Sequence, residues 1–436
     1  MVPDSRQLAY AAFDDAHLSA GVVTRTLQTG QTHRLTDPKP FNDDLVAWSP
    51  DGKWIAFTRL FGDTARDLFV IPSLGGAPHQ LTFDRVPMGG FAWTPDSAEL
   101  IFASNRLGQT NHLWRIRAYG GAPSSVDTQT HNAIEPAISL PGNRLVFREG
   151  YADSNIWEYS AEGPAGTPAS FSRSPKCLIC ASVLQDTPRF SPDGRKIVFV
   201  SRRTAYDEIW VADRDGAFPI QLTSTGSFPG SPRWSPDGHW IVFDAQKEGN
   251  PHIFVISAEG GSPRQLTTGT SKESTPAWSH DGRWIYFSAT RDGRARVWKV
   301  PFDGGDAVVV TKGSGGESIE SQDGKRLYYW GEGGRLWSVP VAGGTEEMVP
   351  EMRDVPRTRA WLVRPEGIYF YQDGKKDEGF IRLLSFATRQ ITTVLQPLVQ
   401  PIRYRPGMDI SPDGRTLLYT QTDHRIEALF LLENFR

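Results

Sequence analysis

Short apolar runs recur along the chain at a nearly constant interval, each opening just after a polar turn. Trp54-Ile55-Ala56-Phe57, Lys196-Ile197-Val198-Phe199, Trp240-Ile241-Val242-Phe243 and Trp284-Ile285-Tyr286-Phe287 are the clearest. They are near-continuous rather than alternating, the pattern of a strand whose sheet is covered on both faces. The turn before them is Ser-Pro-Asp-Gly, at residues 49–52, 191–194, 235–238 and 411–414. Degenerate copies are Thr94-Pro95-Asp96-Ser97, Ser279-His280-Asp281-Gly282 and Ser321-Gln322-Asp323-Gly324. Weaker copies sit at Pro141-Gly142-Asn143, Pro365-Glu366-Gly367 and Pro3-Asp4-Ser5. These ten copies are typically about 42 to 47 residues apart, the period of propeller blades.

Each copy predicts four strands. Strand a ends in an aromatic before the turn: Trp48, Trp93, Phe190, Trp234, Trp278. In the turn, Pro presets φ, Asp bonds the local backbone and Gly takes the left-handed position. Strand b is the apolar run. Strand c follows, as in Leu68-Phe69-Val70-Ile71, Ile209-Trp210-Val211 and Ile253-Phe254-Val255-Ile256. A Gly pair such as Gly75-Gly76 or Gly260-Gly261 then makes the next turn. Strand d is short and ends in Gln-Leu-Thr, at 80–82, 221–223 and 265–267. The fold class is therefore all-β: a β-propeller of four-stranded antiparallel blades. Residues that recur in register are explained by packing and turn geometry.

The ring has two possible closures. The first copy supplies b, c and d without a, and the last supplies a, b and c (408–410, 416–419, 428–432). One reading is a single ring over 1–436. The preferred reading splits the chain near residue 172, where a Pro/Gly/Ser-rich insert (162–175) stretches the period. Residues 173–436 are then a six-bladed ring whose missing d strand comes from 176–182, and 1–172 carry N-terminally incomplete blades. Because the chain opens mid-motif, its start reads as a truncation or a misplaced start codon.

Composition narrows the function class. The net charge is −3 with 22% charged residues, without the clustered Lys and Arg that nucleic-acid binding or a polybasic membrane patch needs. No apolar run is long enough to insert in a membrane, and Met1 to Arg6 lacks a signal-peptide layout. Two cysteines make no disulfide framework. In Cys177-Leu178-Ile179-Cys180, alternation along a strand points the two thiols to opposite faces. They read as buried structural thiols, with a local disulfide or a partial metal site as the alternatives.

The unit Ala47-Trp48-Ser49-Pro50-Asp51-Gly52-Lys53-Trp54-Ile55-Ala56-Phe57, with its later Gly-Gly-x-Pro-x-Gln-Leu-Thr, resembles the TolB-type (WD40-like) propeller repeat over nearly the whole chain. The blade order and the ending Leu431-Leu432-Glu433-Asn434-Phe435-Arg436 also look like the C-terminal propeller part of bacterial winged-helix transmembrane regulators. These resemblances imply a periplasmic or other extracytoplasmic setting and protein partners. Neither a winged helix nor a membrane helix is present, so DNA binding does not carry over.

Motifs for chemistry are sparse. The nine histidines lack His-x-x-x-His spacing, and calcium-type loops with alternating acids are absent. No Gly-x-Ser-x-Gly elbow occurs, which argues against a serine peptidase. Gly313-Ser314-Gly315-Gly316 is no phosphate loop, since no Gly-Lys-Ser/Thr follows. No catalytic residue, metal site or cofactor is assigned. Binding is expected at the channel mouth, where loops joining d to the next a converge. Those loops carry Asp43, Asp44, Glu135, Asp186, Glu273, Glu317 and Arg357. A mostly acidic ring of this kind suits a basic peptide or a cation in the channel, while ordinary surface charge is the plain alternative. The expected function is a non-catalytic binding or sensor module for protein or peptide partners. The rivals are a propeller-scaffold glycan lyase or glycosidase, and a purely structural scaffold.

Overall fold

The computed structural model describes residues 6–14, 19–39, 41–61, 65–106, 110–128, 130, 132–139, 144–162, 170–171, 174–204, 206–247, 250–291, 293–374, 378–397 and 407–435. The turns at 3–5 and 141–143, and most of the insert at 162–175, lie outside them. The described residues form nine antiparallel sheets. Two 3-10 turns, Glu332–Gly334 and Pro350–Met352, are the helical elements among them, and neither is long and apolar enough to cross a membrane.

The chain divides into two compact units, Met1–Tyr151 with Arg425–Arg436, and Ala152–His424. In the first unit a three-stranded sheet (Gln7–Asp14, Ser19–Thr26, Thr32–Arg34) precedes two complete blades. The complete blades open with Asn42–Trp48 and Met88–Trp93. A further sheet opens with Ala133–Ile138, paired to residues 145–149. Among the described residues the three-stranded sheet follows the order of the b, c and d strands of the repeat.

The second unit holds five complete blades, opening with Gln185–Phe190, Gly230–Trp234, Lys272–Trp278, Gly315–Glu320 and Trp361–Arg364. A sixth is assembled from both ends of the unit. Met408–Ile410 pairs with residues 417–419, and residues 156–158 pair with Lys176–Ile179. The strands that carry 417–419 and 156–158 are neighbours in one sheet. The innermost strands of the six blades contact one another in cyclic order, the sixth returning to the first.

Two strand assignments change. Residues 428–432 are not strand c of the last blade, because Thr416–Leu432 is one continuous strand. Leu145–Glu162 is likewise continuous, and its second half supplies that strand c. Thr416–Leu432 holds no Gly or Pro that would reverse it, and Gly150 of Leu145–Glu162 is not among the positive-φ glycines that make the turns; each stretch runs on and contributes residues to both units.

The cysteines also differ from expectation. Cys177 and Cys180 form a disulfide, with Cα atoms 6.1 Å apart, and Cys180 is exposed. Alternation fails here for a local reason. The strand bulges between its pairings to Ile156 and Trp157 and ends at Ile179. Strict two-residue periodicity therefore does not run through to Cys180.

The core follows the b strands. Ile55, Ala56 and Phe57, like Ile197, Val198 and Phe199, are wholly buried. Each such Phe contributes about 1.5–3 kcal/mol by leaving water. Blade-to-blade spacing is set by the strand-a tryptophans. The indoles of Trp93, Trp234 and Trp278 donate to the carbonyls of Ala47, Arg189 and Arg233, 45 or 46 residues earlier, at 3.1–3.2 Å.

Candidate functional site

The innermost strands are bulged in register. Pairing to strand b slips between Asp44 and Ala47, Ile134 and Ala137, Asp186 and Arg189, Gly230 and Arg233, and Ser274 and Ala277. At these slips Leu45, Glu135, Thr187, Ser231 and Thr275 have φ between 46° and 56°. Four of the five precede a proline (136, 188, 232, 276), which the bulge accommodates because it interrupts the ladder there. Each bulge re-aims the residues that follow it. The recurring x-Pro two residues ahead of strand-a's end was a readable signal for this feature, and the sequence reading did not use it.

The seven residues named from the sequence are divided between the units. In the first unit Asp43 and Asp44 lie within an inner strand rather than a loop. Asp43 is wholly buried, accepts a hydrogen bond from the Thr36 hydroxyl at 2.5 Å and pairs with Arg59 at 2.7 Å. Asp44 pairs with Arg66 at 3.0 Å and accepts a bond from the Thr58 hydroxyl. Glu135, on a bulge and exposed, pairs with Arg148 at 3.0 Å.

In the second unit Asp186 is buried and accepts the Thr187 N–H at 2.6 Å. Glu273 is buried between His252 (3.2 Å) and Arg291 (2.8 Å). Burial opposes its ionisation, but hydrogen bonds from His252, Thr267 and Arg291 outweigh it and hold the carboxyl below its ordinary range. Glu317 is buried between Arg233 (3.2 Å) and Arg359 (3.6 Å). Arg357 is exposed. Six of the seven are thus already engaged within the fold.

A concavity of the second unit lies at the other end of the inner strands, where the Ser-Pro-Asp-Gly turns converge. It is a funnel of about 500 Å³. The turns around it share one architecture. The Ser191 hydroxyl bonds Asp193 at 2.5 Å and accepts the Lys196 N–H at 2.9 Å, and Asp193 accepts the Arg195 N–H at 3.0 Å. The same three bonds recur at Ser279, Ser321 and Ser411. The serine hydroxyl keeps the Asp193 and Asp281 carboxyls below their ordinary range. Successive turns nest: Gly238 and Gly282, both at positive φ, sit against Pro192 and Pro236 of the preceding blade.

Phe190, Trp234 and Trp278 wall the funnel, and Arg189, Arg233, Arg364, Asp409 and Glu320 bring charge to it. Burial, with the neighbouring Arg189 charge, pushes the Arg233 guanidinium down to about 10. Glu320 accepts the His280 N–H at 3.0 Å, yet burial raises its carboxyl above the ordinary value. Glu320 occupies the strand-a position that is aromatic in the three blades before it, pairing with Leu327 as Phe190, Trp234 and Trp278 pair with Ile197, Ile241 and Ile285. This departure from the repeat was legible and went unremarked.

The TolB beta propeller domain model matches residues 1–164 and 175–351. This chain belongs to the TolB β-propeller family. Among its relatives is the Tol-Pal system protein TolB of Francisella tularensis subsp. mediasiatica, 24% identical over 228 residues, covering 51% of this chain and 50% of that protein. An uncharacterized protein of Agrobacterium fabrum is 27% identical over 144 residues, 33% of this chain and 48% of that one. The chain thus spans about half the length of these curated relatives. The crystal structure of TolB from Acinetobacter baumannii overlaps 63% of this chain and 66% of that one, with 19% identity and a TM-score of 0.43.

Proposed function

We propose that this TolB-family propeller is a non-catalytic binding module, and that the second unit takes a peptide segment of a protein partner in its funnel. On this reading the second unit, Ala152–His424, is the binding ring, and the first unit carries further blades. The observation that carries it is the convergence of indole rings and guanidinium groups on one cavity of about 500 Å³. Trp and Arg are the side chains that most often dominate binding energy in desolvated pockets. Glu317 enters as the counter-ion fixing Arg233. Membership of a family that includes a Tol-Pal system protein supports a protein partner. The Cys177–Cys180 disulfide supports an oxidising, extracytoplasmic compartment. The resemblance to winged-helix regulators remains an expectation from the sequence.

The test is selection from a displayed random-peptide library, followed by binding to Gln322→Trp, which fills the mouth at an exposed lining position. Selected peptides should lose binding to the blocked variant. Equal binding to both proteins would place the site elsewhere.

One observation favours a second reading. Glu320 and Asp409 are two carboxylates on a single cavity, the pairing a glycan-acting enzyme uses. Turnover in a polysaccharide screen that Glu320→Gln abolishes would replace the binding reading with this one.

A further inference from the structure

Resting on the funnel as the binding site, we propose that its ligand presents a carboxylate, seated by Arg189 and Arg364 and flanked by an apolar group against the indoles of Trp234 and Trp278. Several other half-buried arginines of the second unit meet carboxylates: Arg233 and Arg359 meet Glu317, Arg202 meets Asp207, and Arg291 meets Glu273. Arg189 and Arg364 differ. Arg189 is 6% exposed, and its Nη1 donates to the carbonyls of Pro188, at 3.0 Å, and Met408. Arg364 Nη2 donates to the carbonyls of Ser411, at 2.8 Å, and Pro412, at 3.3 Å. Carbonyls fix these guanidinium groups in place but do not cancel their charge.

The rest of each fork remains to be used. Arg364 Nε is buried with no hydrogen-bond partner. A guanidinium matches a carboxylate with two parallel N–H···O bonds, so a bound anion would satisfy donors and charge together. A desolvated cation without an anion is unfavourable, which makes the funnel receptive to one.

The acids on the cavity do not fill this role. Asp409 Oδ2 accepts the Phe190 N–H at 2.8 Å, and Glu320 is turned to the His280 N–H while burial draws it toward its neutral form. With Arg233 matched to Glu317, Arg189 and Arg364 face two carboxylates, one of them weakened by burial. The walls are apolar because both indole N–H groups are committed to backbone carbonyls.

The carboxylate can come from an acidic side chain or from a chain terminus, and calorimetry on the full chain at low salt separates them. Three probes are used: an amidated peptide with alternating Glu and Trp, its amidated Gln twin, and that twin with a free C-terminus. We expect the Glu peptide or the free-acid twin to bind at least about tenfold more tightly than the amidated twin, with the preference shrinking as salt rises. Arg364→Gln should remove the preference, and Arg364→Lys, which keeps the charge, should retain part of it; circular dichroism reports their folding. Equal binding of all three probes would overturn the carboxylate proposal and leave peptide binding standing. Binding of none at millimolar concentration would overturn both.

Discussion

Trp157 donates its indole N–H to Asp423, 3.1 Å from each carboxylate oxygen, across a sequence separation of 266 residues. Asp423 also accepts the Asn155 amide at 2.6 Å, and Asn155 Oδ1 in turn accepts the Ala181 N–H at 2.8 Å. One side chain near the end of the second unit therefore holds the strand that opens it. Local turn chemistry cannot supply that link, since its two halves are joined only by the closed ring. Asp423→Ala leaves three donors, on Trp157, Asn155 and Gln421, without their acceptor and should cost about 2–4 kcal/mol, read as a lower urea midpoint. Asp423→Asn keeps one acceptor oxygen and should cost less. An alanine variant within about 0.5 kcal/mol of the parent would show that this closure does not depend on the contact.

The blades themselves were legible because a repeat is local. Ser-Pro-Asp-Gly, the Gly pairs and the apolar b strands each encode their conformation within a few residues, and Gly75 and Gly76 take the positive φ values, 97° and 139°, that the pair implies. What the repeat could not encode is where a strand fails to turn. Nothing about Ala428 to Leu432 alone shows that they continue the strand begun at Thr416. The site was hidden for a related reason. The acids chosen for binding share a blade position, but a shared position marks a structural role. Asp43, Glu273 and Glu317 accordingly sit buried against arginines. Glu320, which breaks the aromatic pattern of strand a, instead faces the funnel beside the tryptophans that keep it.

Glu273 gives a prediction about those buried acids. It is fully buried, and removing it leaves Arg291 and His252 facing each other without a counter-ion. Glu273→Ala should destabilise the protein by roughly 3–5 kcal/mol, measured by chemical denaturation near neutral pH. His252→Ala, which leaves the Arg291 pair intact, should cost less. If the two losses match, the carboxylate is not the centre of the cluster.

The disulfide predicts a modest effect. Cys177 and Cys180 are three residues apart, so their bond removes little freedom from the unfolded chain, about 2 kcal/mol on the loop-entropy relation. The double serine variant should melt a few degrees lower and keep its fold. The parent should show no free thiol until a dithiol is added. Two thiols titrating in the untreated protein would contradict the bond.

Glu320 and the turn aspartates predict opposite responses to pH. Ser191 and Ser279 hold Asp193 and Asp281 below the ordinary 3.8, so the unfolded chain takes up their protons first as pH falls. Their stabilisation is complete above about 3.8 and is lost progressively below it. Burial raises Glu320 above 4.5, which reverses the sign. As pH rises past 4.5 the unfolded chain releases this proton before the folded one does, so stability is lost up to the folded value. Glu320→Gln keeps an oxygen for the His280 N–H and has no proton to release. The variant should therefore be more stable than the parent at neutral pH. The difference should shrink toward zero as pH falls below about 4.5, while both proteins lose the aspartate contribution below about 3.8. Urea midpoints of the two proteins between pH 3 and pH 7 measure it. A difference that stays constant across the range would mean that burial of the Glu320 charge is not what sets it.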